Sequence, residues 1–196
     1  RIQSRNGPYH LVRNIHCNIG PRSRMMKDMA NTSPQQFRPN ADNTRLLRDA
    51  FGRFATGVTI ITAKTADGVI GMTANSFSSL SLDPALVMWS PAINSSRFKF
   101  FADAPHFAIH ILTDQQKDIC EAFAKNGHAF NEIHHTLNAH GVPLIDNCLA
   151  RFECSHVATH PAGDHVIVIG QANDVTFQNG TPLAFYAGKY GTIEAT

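Results

Sequence analysis

Val58-Thr59-Ile60-Ile61-Thr62-Ala63-Lys64-Thr65-Ala66-Asp67-Gly68-Val69-Ile70-Gly71-Met72-Thr73-Ala74-Asn75 reads as strand, turn, strand. β-Branched side chains fill Val58–Thr62, and their restricted χ1 rotation favours a pleated backbone. Asp67-Gly68 is a hairpin dipeptide, since both residues tolerate the positive φ of a tight turn. The second arm returns through Val69–Asn75. Upstream, Leu46, Leu47, Ala50, Phe51 and Phe54 recur at helical spacing, which predicts a helix over Asn43–Phe54 ended by Gly57. Downstream, Pro84 closes a serine-rich loop and Leu86–Trp89 forms a short buried strand. Phe107–Leu112, Leu149–Thr159, His165–Phe177 and Leu183–Tyr186 read as further strands. Two helices interrupt them: one capped by Ser95 or Ser96 and running through Phe101, the other opened by a Thr113…Gln116 capping box and ending near Lys125. Non-alternating strands with few helices make the chain mainly β. They point to a closed barrel rather than a βαβ sheet.

The 196 residues suit one domain, 42–196, preceded by an irregular basic tail, 1–41. Residues 1–30 hold six basic side chains against one acid, Asp28. That leaves 11 basic and 14 acidic residues, a formal −3, for residues 31–196. The main domain therefore lacks the positive field of a nucleic-acid binder. Its tail reads as a solvated arm, with a phosphate-binding arm or an Arg-rich transit peptide as alternatives, and Met25 and Met26 are candidate start positions. No apolar run is long enough to span a membrane. Four cysteines, Cys17, Cys120, Cys148 and Cys154, form no Cys-x-x-Cys pair, so buried thiols in a reducing cytoplasm are expected.

Gly-x-Gly-x-x-Gly after a strand, a P-loop and a Gly-x-Ser-x-Gly elbow are all missing. The unusual stretch is Gly71-Met72-Thr73-Ala74-Asn75-Ser76-Phe77-Ser78-Ser79-Leu80-Ser81. Its small residues would let a flat ligand approach backbone donors and acceptors; the alternative is a polar loop after an edge strand. Ser90-Pro91-Ala92-Ile93-Asn94-Ser95-Ser96-Arg97 places hydroxyls and a guanidinium at a helix start, which suits an anion or simply caps the helix. Gly163-Asp164-His165 turns between the two longest strands and offers an imidazole at a barrel mouth, or a surface histidine. His128, His134, His135 and His140 share a loop without metal-ligand spacing, so no metal site is assigned.

In that order, and together with Phe51-Gly52-Arg53-Phe54-Ala55-Thr56-Gly57-Val58-Thr59, Ser81-Leu82-Asp83-Pro84, Leu112-Thr113-Asp114-Gln115-Gln116 and Pro182-Leu183-Ala184-Phe185-Tyr186, these segments resemble the flavin reductase-like family. Its members, built on the FMN-binding split barrel of Greek-key type, include reductase components of two-component flavin monooxygenases. The resemblance covers roughly residues 45–193. It implies that Met72, Thr73, Ala74, Asn75 and Ser76 line the isoalloxazine and ribityl chain. It gives Ser90, Pro91, Ser95, Ser96 and Arg97 the flavin phosphate end, and Gly163, Asp164 and His165 the nicotinamide nucleotide. The implied cofactors are FMN or FAD with NADH or NADPH. A homodimer with flavin near the subunit interface is implied too, with a flavin-dependent monooxygenase as partner. Three departures stand out: His110 where the family often has Asn, Ala187-Gly188-Lys189 where many members have Arg-Gly, and His134-His135 where a Trp is usual.

The implied reaction is hydride transfer from nicotinamide to flavin, for which the cofactors carry the electronic work and no nucleophile or general base is needed. Alternative readings on the same fold are a flavoprotein that keeps FMN and reduces another substrate, and a non-catalytic flavin-binding module.

Overall fold

From Thr59 to Ala63 every residue is buried, because one strand divides two apolar clusters. Ile61 and Ala63 face a core that holds Trp89, Phe101, Phe107, Ile109 and Val168. Val58 and Ile60 face another built around Leu112, Cys120, Phe123 and Ile145. A strand covered on both sides has no wet face to mark with polar residues, which explains the unbroken apolar run. Its buried threonines are satisfied: Thr62 Oγ1 donates to Pro143 O at 2.6 Å and Thr59 Oγ1 to Ala74 O at 2.7 Å.

The computed structural model describes residues 34–131 and 133–193. Most of the basic arm, with Cys17, Met25 and Met26, lies outside the described residues, while 34–40 are irregular. Helix α1 (Thr44–Phe51) follows a 3₁₀ turn, Ala41–Asn43, that Asn40 caps. Then come β1 (Thr56–Gly57), β2 (Thr59–Thr65), β3 (Gly68–Ala74), β4 (Ser78–Leu82), β5 (Ala85–Trp89), α2 (Phe98–Phe101) and β6 (His106–Ile111). The remaining elements are α3 (Lys117–Lys125), β7 (His135–Leu137), β8 (Pro143–Ile145), β9 (Ala150–Ala162), β10 (His165–Phe177), β11 (Leu183–Tyr186) and β12 (Lys189–Thr192). Seven antiparallel strands form the main sheet in the order β3-β2-β6-β9-β10-β5-β4, beside the small sheets β1-β11-β12 and β7-β8.

The barrel is split rather than closed. Edge strands β3 and β4 share no ladder and are joined only by residues 75–77. Three further expectations are corrected. Ser78–Leu82, read as loop, is the edge strand β4, where serines serve as well as apolar residues because one side is wet. Helix α1 is shorter than Asn43–Phe54, and its apolar stripe faces outward, with Phe51 69% and Phe54 77% exposed. The helix through Phe101 is one turn long and has no side-chain cap. The Thr113–Gln116 capping box does form, opening the 3₁₀ turn that leads into α3.

Candidate functional site

The split in the barrel is where the predicted site residues gather. Past Ala74 the chain leaves its ladder with β2. Ser76, in the seam between β3 and β4, continues the β4–β5 pairing beyond its last rung: its Oγ donates to Ser90 O at 3.2 Å and accepts Ser90 N–H at 2.9 Å. Among the described residues, no backbone partner engages the N–H groups of Asn75 or Ser76. Unspent donors beside an opening are what a ring edge rich in carbonyl and imine acceptors requires.

The opening is a slot of about 180 Å³ lined by Val58, Thr73, Ala74, Asn75, Phe185 and Tyr190. Apolar and aromatic groups form one side, and the end of β3 forms the other. A second cavity of about 310 Å³ shares Asn75 in its lining, with Phe54, Thr56 and Phe77 in its wall. Thr56 Oγ1 is buried there without a hydrogen-bond partner. A flat, amphipathic ring system suits this arrangement: apolar faces meet Val58 and the aromatics, while the polar edge meets Asn75 and Ser76. The residues present therefore fit an isoalloxazine.

Met72 differs from its neighbours. Its side chain packs against the barrel core, one pleat away from Thr73, and it does not line the slot. Gly71 is small for a different reason than ligand approach. A Cβ there would stand 2.4 Å from the Phe123 ring, so α3 occupies the space.

Ser90 and Pro91 continue directly from the seam. The anion seat expected further on loses its helix-terminus basis, since α2 has a single turn and Arg97 is its N-cap residue. Ser95 Oγ accepts the Arg97 N–H at 3.3 Å, while Ser96 makes no side-chain cap bond. The Arg97 guanidinium donates to the carbonyls of Phe123 and Ala124, the electronegative end of α3. Arg97 thus fastens α3 to the segment after β5, which leaves fewer of its donors for a phosphate.

Gly163-Asp164-His165 is brought to the same edge. His165 bridges to Ala92, and Ile93 N–H donates to Asp164 O at 2.9 Å. The side chains stay near solvent, at 43% exposure for His165 and 90% for Asp164. His165 Nδ1–H donates to Asp164 Oδ1 at 2.8 Å, which holds the Asp164 carboxyl below its ordinary pKa and directs the other ring nitrogen outward. Parts of the three predicted clusters are thereby linked, Ser76 to Ser90 and Ala92 to His165, while Arg97 turns away to α3.

Across the chain, the sequence pattern described as Flavin reductase like domain matches residues 51–194. The chain belongs to this flavin reductase-like family. The FMN reductase (NADH) SmoA of Agrobacterium fabrum is 49% identical over 155 residues, covering 79% of this chain and 89% of that protein. The reductase component of a flavin-dependent trigonelline monooxygenase from Acinetobacter baylyi is 45% identical over 76% of this chain, which spans 48% of that longer protein. Among solved structures, the NADH:FAD oxidoreductase SgcE6 of Streptomyces globisporus, in complex with NAD and FAD fragments, superposes with a TM-score of 0.75. It is 29% identical, over 81% of this chain and 98% of that one.

Residues that the sequence reading missed in this flavin reductase-like domain are Val58, Phe54, Thr56 and Tyr190, with Cys120 behind them. Phe54, Thr56 and Val58 stood inside the matching segment at Phe51–Thr59 but were read as helix end and strand start. Tyr190 lay beyond the last predicted strand. Its signal is weak, because the β11–β12 turn uses Ala187 at φ 48° rather than an Asn or Asp that would announce a hairpin.

Proposed function

We propose that this chain is an NADH-dependent flavin reductase that passes a hydride from nicotinamide to FMN or FAD and supplies reduced flavin to a partner monooxygenase. The slot between the end of β3 and the Phe185–Tyr190 pair, in a chain of this family, carries the reading. Relatives named for NADH favour it over NADPH. When bound, the nicotinamide and flavin would supply the redox chemistry, a hydride donor and its acceptor. The protein's part is to bind, orient and exclude water. Asn75 and Ser76 offer N–H donors to the ring edge, Val58 and Ala74 give apolar contact, and Thr73 borders the slot. Ser90, Pro91, Ser95, Ser96 and Arg97 flank the phosphate end, and Gly163, Asp164 and His165 meet the nicotinamide nucleotide.

Steady-state NADH oxidation with FMN, with FAD and without added flavin tests the activity. Oxidation should depend on added flavin; flavin-independent turnover or none would defeat the reading. His165→Ala tests the nucleotide end. It should bind flavin as the parent does and reduce it with roughly a fivefold loss at low NADH, the effect of one ordinary hydrogen bond of ~1 kcal/mol. Stopped-flow reduction of pre-bound flavin at parental rate and NADH dependence would remove His165 from the site.

We also propose a homodimer in which a second copy covers the outward stripe of α1. Support comes from Phe51 and Phe54, two large side chains left in water, the second of them in the wall of the second cavity. A reducing, cytoplasmic setting is supported by Cys120, Cys148 and Cys154, which are buried free thiols. No described helix is long and apolar enough to cross a membrane.

A further inference from the structure

Two walls of the flavin slot hang from one residue of α3. Thr73, on the β3 wall, donates its hydroxyl to the Cys120 carbonyl at 2.8 Å. Tyr190, on β12, accepts the Cys120 Sγ–H at 3.3 Å through its phenolic oxygen. Cys120 itself is fully buried, packed in the cluster around Ile60, Leu112 and Phe123. The separation of Thr73 and Tyr190 is thereby fixed by a single rigid anchor. Phe185 backs the Tyr190 ring at 5.3 Å with a tilt of 59°, so the ring cannot swing away along β11. Lys117 Nζ stands 5.9 Å from the ring centroid, while also pairing with Glu121 at 3.5 Å.

A tyrosine locked by its hydroxyl, half-buried, and presented to a slot of ring dimensions has a function that core packing does not require. We propose that Tyr190, oriented by Cys120, is the aromatic wall against which the isoalloxazine lies, and that it sets the slot's selectivity for a flat ring. This rests on the flavin-reductase reading. Cys120 is a positioning residue, acting through Tyr190 and Thr73.

A phenol in van der Waals contact with a flavin quenches its fluorescence by donating an electron to the excited ring, and a phenyl group does so poorly. The test is therefore fluorescence titration and equilibrium dialysis of FMN against the full chain and five variants, Ala74→Leu among them as a block of the β3 wall, each checked for folding by circular dichroism. Tyr190→Phe should bind FMN within about threefold of the parent but leave the bound flavin brighter, since stacking survives and the donor is gone. Tyr190→Leu should weaken FMN binding on the order of three- to tenfold, the size of one lost aromatic contact. Cys120→Ala should lie between the two, with partial quenching from a ring no longer held. Tyr186→Phe, which alters a tyrosine outside the slot, should match the parent.

Parental quenching in Tyr190→Phe, together with parental affinity in Tyr190→Leu, would overturn the assignment of Tyr190. If Ala74→Leu abolishes binding in that same series, the flavin site stands and only this inference fails. A parent that binds no flavin by dialysis would overturn the flavin-reductase reading itself, and this inference with it.

Discussion

His110 has no solvent access, yet both ring nitrogens are engaged. Ile145 N–H donates to Nε2 at 3.1 Å, which leaves Nδ1–H to donate to Ile60 O at 3.0 Å. The ring is thus a neutral pin through β2, β6 and β8. Burial holds its pKa down at about 4, against 6.5 for a free imidazole, and Arg151 across the ladder adds to the effect. Because the folded value is the lower one, the unfolded chain binds the proton first as pH falls. Stability contributed by this group is complete above pH ~6.5 and declines to pH ~4, by about 3 kcal/mol in all. His110→Asn should remove that decline. It keeps a donor for Ile60 but strands the Ile145 N–H, so it should also lower stability at pH 7.5 by about 1–2 kcal/mol. Urea denaturation at pH 7.5 and 5.0 checks both effects; a variant with the parent's pH slope would show that another group titrates.

Elements meet in this fold through missing side chains. Gly71 of β3 admits the Phe123 ring of α3, which in turn packs on Phe130 at 4.8 Å, and its N–H donates to Gly127 O at 2.7 Å. Gly71→Ala should cost about 2–3 kcal/mol through overpacking and displace the Cys120 anchor, so flavin affinity should fall along with the melting temperature. Gly57→Ala faces open space and should be nearly neutral in stability. In the β11–β12 hairpin, Ala187 holds φ 48°, a region costly for a side chain with a Cβ. Ala187→Gly should therefore raise stability by roughly 0.5–1 kcal/mol in thermal denaturation.

These same elements mark the limit of what was legible in the sequence. β2 and β6 could be read because burial on both faces demands apolar, β-branched runs, and β5, β10 and β11 because their buried positions carry apolar strand-forming residues. The seam at Thr73–Ser76 was readable from its small residues and its family resemblance. β4 and β12 were not, since an edge strand and a turn with Ala in the left-handed region carry no local signature. Nor could spacing reveal that Arg97 grips the end of α3, as that contact joins residues 26 apart through tertiary packing.

At the scale of the whole molecule, the outward stripe of α1 is the feature a single copy leaves unexplained. Its C-terminus is fixed on the barrel by Ala187 N–H donating to Gly52 O at 2.9 Å, so the helix is presented rather than folded back. Phe51→Glu would place a charge at the proposed subunit contact, where desolvation penalises it. Sedimentation velocity should show a dimeric parent and a shift toward monomer in the variant, with weaker flavin binding if the second cavity lies at the interface. A parent that sediments as a monomer would rule the contact out.

A sheet whose two edge strands share no ladder has its weakest closure beside the slot proposed for its ligand. Ser76 and Ser90 add one side-chain rung beyond the ladder of the short edge strand β4 with β5, so opening there breaks few hydrogen bonds compared with parting β9 from β10. Amide hydrogen exchange should accordingly be fastest, within the sheet, around residues 75–82. Saturating flavin should slow exchange in that window and leave β9 and β10 untouched. The ligand then acts as the missing rung, and the empty protein breathes where it must admit its cargo.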